Sequence, residues 1–197
     1  MVKCVRKCVL AVALASGLTG CVLAPQTIEL AQQYDIADAG VVMPQRDALV
    51  RVVDNRNDFS GDQIGHRGGR LPENSPLNIQ DELKEVLTQR LQSSMAQLGF
   101  GGSSPLPPLK VQLDINTFGF TCNEGVIVNE CSLEFSFLMT VMAENATFTK
   151  PYSVTESRGL AVSPTQEYNQ QWVNEALDKV WARMFSDAEL RQALNVR

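Results

Sequence analysis

The feature that most constrains the fold is a series of three β-rich segments in the second half of the chain. Apolar and polar side chains alternate along Leu109–Phe120 and along Ser132–Ala143, and Thr147–Arg158 follows as a third segment. A period of two is that of a strand with one buried face. Turns at Asn123–Glu130 and Glu144–Ala146 join the segments. The pattern therefore predicts three consecutive strands that pair in antiparallel.

Two longer segments have apolar residues at helical spacing. The first starts near Asn78, a residue able to cap a helix, and ends at Gly99, which suits a left-handed C-terminal turn. The second runs from Thr165 to about Met184, after Pro164. A short final helix is expected to end near Leu194. Trp172 and Trp181 lie in the second helix and are expected in the core rather than in a ligand site.

The remaining segments before the first helix are two strands and a long connection. Thr27–Leu30 and Ala48–Val53 are predicted to be strands. Residues 55–76 are rich in glycine and proline, and a connection of about 20 residues exceeds the usual length. A segment of this kind is either a binding or mobile loop or simply disordered.

The order of elements is strand, strand, helix, three strands, helix, helix. This order predicts an α+β fold, in which helices cover one face of a sheet. We expect a two-layer sandwich with a mostly antiparallel sheet of about five strands and two main helices on one face.

The first 21 residues match a bacterial lipoprotein signal. A basic head contains Lys3, Arg6 and Lys7, and a short apolar core follows. That core is too short to span a membrane, which needs about 20 residues. Leu18–Cys21 then has the Leu-x-Gly-Cys order that favours lipidation over ordinary export and release. The expected organisation is a signal peptide at 1–20, a short tether at 21–26 and a single α+β periplasmic domain at 27–197.

Lipidation would place a diacylglyceryl group on Cys21, and two acyl chains give stable membrane anchoring. The covalent lipid is the only non-protein group expected, with no cofactor and no metal. Val22 rather than Asp follows the cysteine. By resemblance to enteric lipoproteins and their sorting preference, this implies the outer membrane, facing the periplasm; retention in the inner membrane is the alternative. The tether is short, so the domain is expected to lie close to the bilayer.

The charge of the mature chain argues against two classes of partner. Without the signal peptide it has 14 basic and 22 acidic residues, a net charge of −8. Nucleic-acid binding requires clustered lysine and arginine, so nucleic acid is not expected as a partner. Electrostatic docking on anionic lipid is disfavoured for the same reason. Contact with the membrane is therefore expected through the lipid.

Two cysteines remain after the signal peptide and the lipidation site are set aside. Cys122 and Cys131 bracket the first hairpin turn. An even pair in an oxidising compartment favours a structural disulfide, since a metal site needs more ligands than these two thiols and one distant histidine. The turn contains Val126–Val128, an apolar tip that either docks on a partner or tucks inward.

Asp54, Arg56, Arg67 and Arg70 form the most chemically suggestive group. Asp54 and Arg56 are two residues apart in an extended segment, so their side chains point the same way and can form a local ion pair. The functional alternative is an anion or partner site, in which Arg67, Arg70 and glycine amides hold a phosphate or carboxylate.

No established catalytic motif is present in the sequence. His66 is the only histidine, and a hydrolase with a Ser or Cys nucleophile would have to use it as the base. A loop histidine beside arginines is more often a solvated side chain. We therefore predict no catalytic residues, and keep an envelope hydrolase that uses His66 and Asp54 as the alternative.

Three short motifs resemble the YajG-type lipoproteins of Gram-negative envelopes. These are Val52-Val53-Asp54-x-Arg56, Ile64-Gly65-x-Arg67 and Leu98-Gly99-Phe100. The resemblance extends over nearly the whole mature chain. It implies an envelope lipoprotein and supplies no catalytic residues, and the Cys122–Cys131 pair is not part of it.

The expected function is that of a lipid-anchored, non-enzymatic binding or accessory module at the periplasmic face of the outer membrane. It would contact an envelope protein or a cell-wall partner through the 55–76 loop or a sheet edge. Besides the hydrolase, the other alternative is an accessory subunit of a transport or secretion assembly.

Overall fold

The computed structural model describes residues 23–69, 71–102, 104–125 and 127–197. The predicted signal peptide, Cys21 and Arg70 lie outside these residues. The described part contains seven strands and three helices. In chain order these are β1 (Gln26–Ile28), β2 (Ala48–Asp54), β3 (Gln63–His66), β4 (Pro76–Ile79), α1 (Leu83–Gln97), β5 (Leu109–Asn123), β6 (Asn129–Ala143), β7 (Ala146–Leu160), α2 (Gln166–Phe185) and α3 (Ala188–Leu194).

All seven strands form one mixed sheet around β5. β6 pairs with one edge of β5 in antiparallel, and β7 pairs with β6 in the same way. The other edge of β5 is shared by two parallel strands, β2 along Leu109–Ile115 and β3 at Phe120 and Thr121. β4 then pairs with β3, and β1 with β4. Two strands can share this edge because β5 is 15 residues long and each partner is short.

A bulge in β5 keeps its apolar side chains on one face. Leu113 and Ile115 are buried at odd positions, whereas Phe118 and Phe120 are buried at even positions. The register with β6 shifts between Ile115 and Thr117, and this extra residue reverses the alternation. Phe118 consequently stacks on its cross-strand partner Phe135, with the ring centroids 4.0 Å apart.

The helices cover this buried face of the sheet. α1 packs on β2, and α2 packs on β1, β6 and β7. Trp172 and Trp181 of α2 are both fully buried, which confirms that they belong to the core. On the opposite face β5, β6 and β7 present mainly serine, threonine and other polar side chains.

Arg90 of α1 joins the helical layer to the N-terminal part of the chain, although its side chain is fully buried. Its guanidinium donates to the carbonyl oxygens of Ala31 and Gln33 and to the Asp178 carboxylate on α2. It also lies 5.1 Å from the ring centre of Trp181. A buried charge requires such partners, so Arg90 fixes the position of α1 relative to α2.

The two ends of the sheet differ in what they carry. We call the end with the β5–β6 turn the hairpin end. β3 and β7 finish there, because β3 is parallel to β5 and Leu160 pairs with Asn129. β1 begins there, since it is parallel to β4, whose first residue Pro76 pairs with His66. The N-terminal segment therefore enters the fold at the hairpin end.

The prediction of an α+β fold is confirmed, but the predicted sheet is wrong in the number of its strands and in how many of them pair in parallel. The segment 55–76 was expected to be a loop, yet β3, a single 3-10 turn at Pro72–Asn74 and the start of β4 lie within it. These short strands contain too few apolar residues to show a period. Their pairing with β5 and β1 creates a mixed sheet of seven strands rather than a mostly antiparallel one of about five.

The predicted start of the first helix was also wrong. Asn78 and Ile79 belong to β4 and pair with Thr27 and Ile28 of β1. The helix begins at Leu83, with Glu82 at its N-cap position. The apolar side chain of Ile79 fits a buried strand as well as a helix face, and spacing alone does not distinguish the two.

We expect Gly65→Ala to disrupt the attachment of β3 to β5. A Cβ atom at Gly65 would lie 1.7 Å from the carbonyl oxygen of Phe120, a backbone atom that cannot move aside. Urea unfolding should show a loss of about 3 kcal/mol or more in the free energy of unfolding.

Gly61→Ala is the matched control in the same segment. Gly61 also has a positive φ angle, of 63°, but a Cβ atom there would have no other atom within 4 Å. It should lose only about 1 kcal/mol through backbone strain. Equal losses at both positions would contradict the close approach of β3 to β5.

Candidate functional site

Asp54 and Arg56 form the ion pair expected from their spacing. The Arg56 Nε and Nη2 atoms donate to both carboxylate oxygens of Asp54, at 2.7–3.1 Å. Arg56 also donates to the carbonyl oxygens of Gly61 and Gln63, at 3.1 and 3.0 Å. Its side chain is only 2% exposed. Arg56 thus holds the segment between β2 and β3 against the end of β2, and most of its donors are used within the protein.

Pairing with Arg56 lowers the pKa of the Asp54 carboxylate. Burial raises its pKa, but the hydrogen bonds and positive charge of Arg56 outweigh burial and hold the pKa of Asp54 below the ordinary range. The charged form is therefore the stable one at neutral pH.

Arg67 lies elsewhere, at the hairpin end. Asp54 is level with Ile115 of β5 and His66 with Thr121, six residues further along the same edge. At about 3.3 Å per residue this separates Asp54 from His66 and Arg67 by roughly 20 Å. The structure thus brings Asp54 and Arg56 together but keeps Arg67 apart from them. Arg70 lies outside the described residues, so its predicted role in an anion site stays a prediction.

Arg67 connects the N-terminal segment to two other parts of the hairpin end. Its Nη1 atom donates to the carbonyl oxygen of Ala24 at 2.6 Å, and its Nη2 atom donates to that of Pro164, before α2, at 2.9 Å. Its backbone N–H donates to Ser75 across the β3–β4 turn. The residue is 9% exposed. Burial lowers the pKa of the guanidinium, which still remains charged at neutral pH. We call this arrangement the Arg67 clamp.

His66 is not placed to act together with Asp54 in a catalytic site, since roughly 20 Å separates them. Its Nδ1 atom is buried and has no hydrogen-bond partner in the described part of the chain. The pair of residues required by the hydrolase alternative is therefore not assembled within this fold.

The predicted disulfide between Cys122 and Cys131 is present and closes the base of the β5–β6 turn. Both cysteines are buried on the core face. Ile127 in the turn is 85% exposed and does not tuck inward, whereas Val128 is 41% exposed and lies over Gly159. Val126 lies outside the described residues. Docking of the tip on a partner stays a prediction.

A small cleft lies at the part of the β5 edge that pairs with neither β2 nor β3. β2 pairs with β5 as far as Ile115, and β3 pairs with it only from Phe120. The segment held by Arg56 lies over this interval. Between this segment and the unpaired part of β5 is a cleft of about 30 Å³. It is lined by Arg56, Asn57, Asp58, Phe59, Asn116, Thr117, Phe118 and Gly119. We call it the 57–59 cleft. Sequence reasoning missed it, because it depends on two strands sharing one edge.

The described residues contain neither a membrane-spanning helix nor a metal cluster. None of their helices is both long enough and apolar enough to cross a membrane. Within the ranges that the structure covers, no group of three or more His, Cys, Asp and Glu side chains is arranged to hold a metal ion.

Comparison with protein families places the chain among lipoproteins. A family model described as "Uncharacterized lipoprotein" matches residues 42–195. The chain belongs to this family. The predicted resemblance to the YajG-type lipoproteins is confirmed, and with it the assignment of the lipoprotein to an envelope-associated group. A search of curated proteins gave no match.

Several solved structures resemble this lipoprotein at low identity. One, described as an uncharacterized protein, is 12% identical, covers 85% of this chain and 99% of its own, and has a TM-score of 0.48. A Xanthomonas campestris protein of the DUF330 family is 10% identical over 88% and 96%, with a TM-score of 0.42. A putative neuraminyllactose-binding hemagglutinin homolog from Helicobacter pylori is 11% identical over 84% and 98%, with a TM-score of 0.40.

We expect Asp54→Asn to lower the free energy of unfolding at pH 7 by about 2 kcal/mol, because it leaves the buried Arg56 guanidinium without its counter-charge. The pKa of Asp54 is lower in the folded state than in the unfolded state. The stabilisation that the ionised carboxylate provides is therefore complete above the unfolded pKa of about 3.9, and it is lost as the pH falls through the folded pKa. Chemical unfolding at a series of pH values should show the wild type and the variant converging in acid. Asp58→Asn, at an exposed aspartate of the same segment, should change little at any pH; a pH-independent gap for Asp54→Asn would contradict this role.

Proposed function

We propose that this lipoprotein is a non-enzymatic accessory or binding module, anchored through a lipid on Cys21 to the periplasmic face of the outer membrane. Membership of a lipoprotein family supports the anchor, and the Leu18–Cys21 motif supplies its site. Val22 after the cysteine favours the outer membrane over the inner one. The proposal assigns no catalytic residue, because His66 and Asp54 are separated along β5.

The observation that carries the proposal is the Arg67 clamp. Ala24 is held by a buried guanidinium and is only three residues after Cys21. Three extended residues span at most about 11 Å. A lipid on Cys21 would therefore emerge beside the hairpin end, and the domain would be held against the bilayer rather than suspended on a long tether.

The exposed segment beside the 57–59 cleft is the surface we assign to the envelope partner, a protein or a cell-wall polymer; the cleft itself has room for about one water molecule. This surface belongs to the 55–76 segment, one of the two contact surfaces expected from the sequence, and lies over the part of β5 that neither β2 nor β3 pairs with. Arg56 holds the segment in place at its base, while Asn57 and Asp58 remain exposed. A preorganised segment loses less conformational freedom on binding than a mobile one.

The outer edge of β7 is less suited to binding an added strand. Pro151 has no N–H to donate, and Arg183 donates to the carbonyl oxygen of Ser153 at 2.6 Å. Edge strands that are protected in this way resist pairing with another chain. The segment beside the 57–59 cleft is therefore preferred over the β7 edge as the contact surface.

The anchor is tested by Cys21→Ala in cells supplied with a labelled fatty acid. The wild-type protein should incorporate the label and sediment with the outer membrane, whereas Cys21→Ala should incorporate none, since it lacks the acceptor sulfur. Cys8→Ala, within the predicted signal peptide, is the matched control and should label like the wild type. Labelling that persists in Cys21→Ala would overturn the assignment.

The contact surface is tested by a photo-crosslinking residue placed at Asn57 in cells. A discrete adduct with an envelope component is expected there. Thr149, exposed on the polar face of β7, is the control position and should give none. An adduct at Thr149 without one at Asn57 would move the contact to the open face of the sheet and contradict the proposal.

A further inference from the structure

In the part of the chain that the structure describes, four exposed apolar side chains lie in turns at the hairpin end of the sheet. They come from the β3–β4, β5–β6 and β7–α2 turns, and their exposed fractions are 50% for Leu71, 85% for Ile127, 41% for Val128 and 75% for Val162. Single exposed apolar residues are ordinary on a protein surface. Here three separate turns present them at the end where the N-terminal segment enters.

The turns at this end form one connected platform. Arg67 joins the β3–β4 turn both to Ala24 and to Pro164 of the β7–α2 turn. Gly68 lies so close to β5 that a Cβ atom there would be 2.7 Å from the carbonyl oxygen of Cys122. These contacts allow the exposed apolar tips to act as a single surface.

The β5–β6 turn is supported from behind by β7. A Cβ atom at Gly159 would lie 3.1 Å from the Val128 side chain, so Val128 packs over this glycine. The disulfide closes the same hairpin below the turn. Ile127 is consequently held outward at the end of a supported hairpin.

We infer that the hairpin end is a membrane-contact surface, whose apolar tips enter the interface of a phospholipid bilayer. The inference rests on the proposed lipid anchor and specifies how the domain stands on the membrane. Leu23 lies against Gly69 of the β3–β4 turn, where a Cβ atom would be 3.9 Å from the Leu23 side chain, and Cys21 is two residues earlier. The lipid and the apolar tips therefore reach the same bilayer.

The exposed charges described in the turns at the hairpin end favour a zwitterionic bilayer. Among the described residues of these turns, Glu73 and Glu124 are exposed. Carboxylates are repelled by anionic headgroups, so contact depends on the apolar side chains and not on electrostatic attraction. The interaction should accordingly be insensitive to salt.

The opposite end of the sheet also has exposed apolar residues, which supply a matched control. Val41 is 55% exposed, and its backbone pairs with the last residue, Arg197. β5 has 15 residues, so the two ends are about 50 Å apart. When the hairpin end contacts the bilayer, Val41 lies far outside it.

The test compares two labelled variants of the mature lipidated protein, Val162→Cys and Val41→Cys, each carrying an environment-sensitive fluorophore. The protein is reconstituted into phosphatidylcholine vesicles in which some of the acyl chains are brominated to quench fluorescence. Quenching at position 162 should exceed that at position 41 by about threefold or more, because only the interfacial label meets the acyl chains. Adding Ile127→Ser should reduce the quenching at position 162.

The outcomes separate this inference from the proposed function. If the protein floats with the vesicles and both labels are quenched equally, or position 41 is quenched more, the membrane-contact surface is wrong while the anchor stands. If the protein does not float at all, the anchor has failed and the inference fails with it. If Ile127→Ser leaves the quenching at position 162 unchanged, insertion of the β5–β6 tip is overturned.

Discussion

The hydrogen bonding of β5 along both of its edges is the constraint on which the rest of the structure depends. β6 occupies one edge over almost its full length, and the other edge is divided between β2 and β3. Backbone N–H and C=O groups buried in a sheet require partners, so a strand of 15 residues must find them from more than one short neighbour. This division sets the mixed topology and places Asp54 and His66 far apart. It also leaves the interval that forms the 57–59 cleft.

Two buried arginines, Arg90 and Arg67, hold irregular segments that are not part of the sheet. Arg90 links α1 to α2 and to the segment after β1, and Arg67 holds the N-terminal segment at the hairpin end. A buried guanidinium is costly unless its donors are satisfied, and carbonyl oxygens supply part of that satisfaction in both cases. The positions of irregular segments are thereby specified by polar contacts, while apolar packing places the regular elements.

Local pattern predicted the elements that bury a long apolar face. β5, β6 and α2 lie close to their expected bounds, because many side chains repeat the same period along each of them. β7 and the short α3 also lie close to their expected positions. β3 and β4 have only four residues each, and apart from each other their pairing partners, β5 and β1, are distant in sequence. Nothing within such a short segment distinguishes a strand from a loop. The same limit explains why the sequence predicts a helix at Ile79, which lies in β4.

The candidate site also contains both local contacts, which the sequence predicts, and contacts between distant segments, which it does not. The Asp54–Arg56 pair is local, and its geometry follows from the alternation of side chains along an extended chain. The disulfide likewise follows from two cysteines at the base of one hairpin. The partners of Arg67 are backbone carbonyl oxygens at Ala24 and Pro164, 43 and 97 residues away, and a carbonyl oxygen has no sequence signature.

By itself the sequence determined the α+β class, the antiparallel hairpins, the cysteine pair, the family and the motif that predicts the anchor, because each is encoded by neighbouring residues. Only the tertiary structure decided how two strands share β5, which arginine clamps the N-terminal segment, and which apolar tips meet at one end. These features depend on contacts between segments far apart in the chain, and such contacts exist only once strands have paired with both edges of β5.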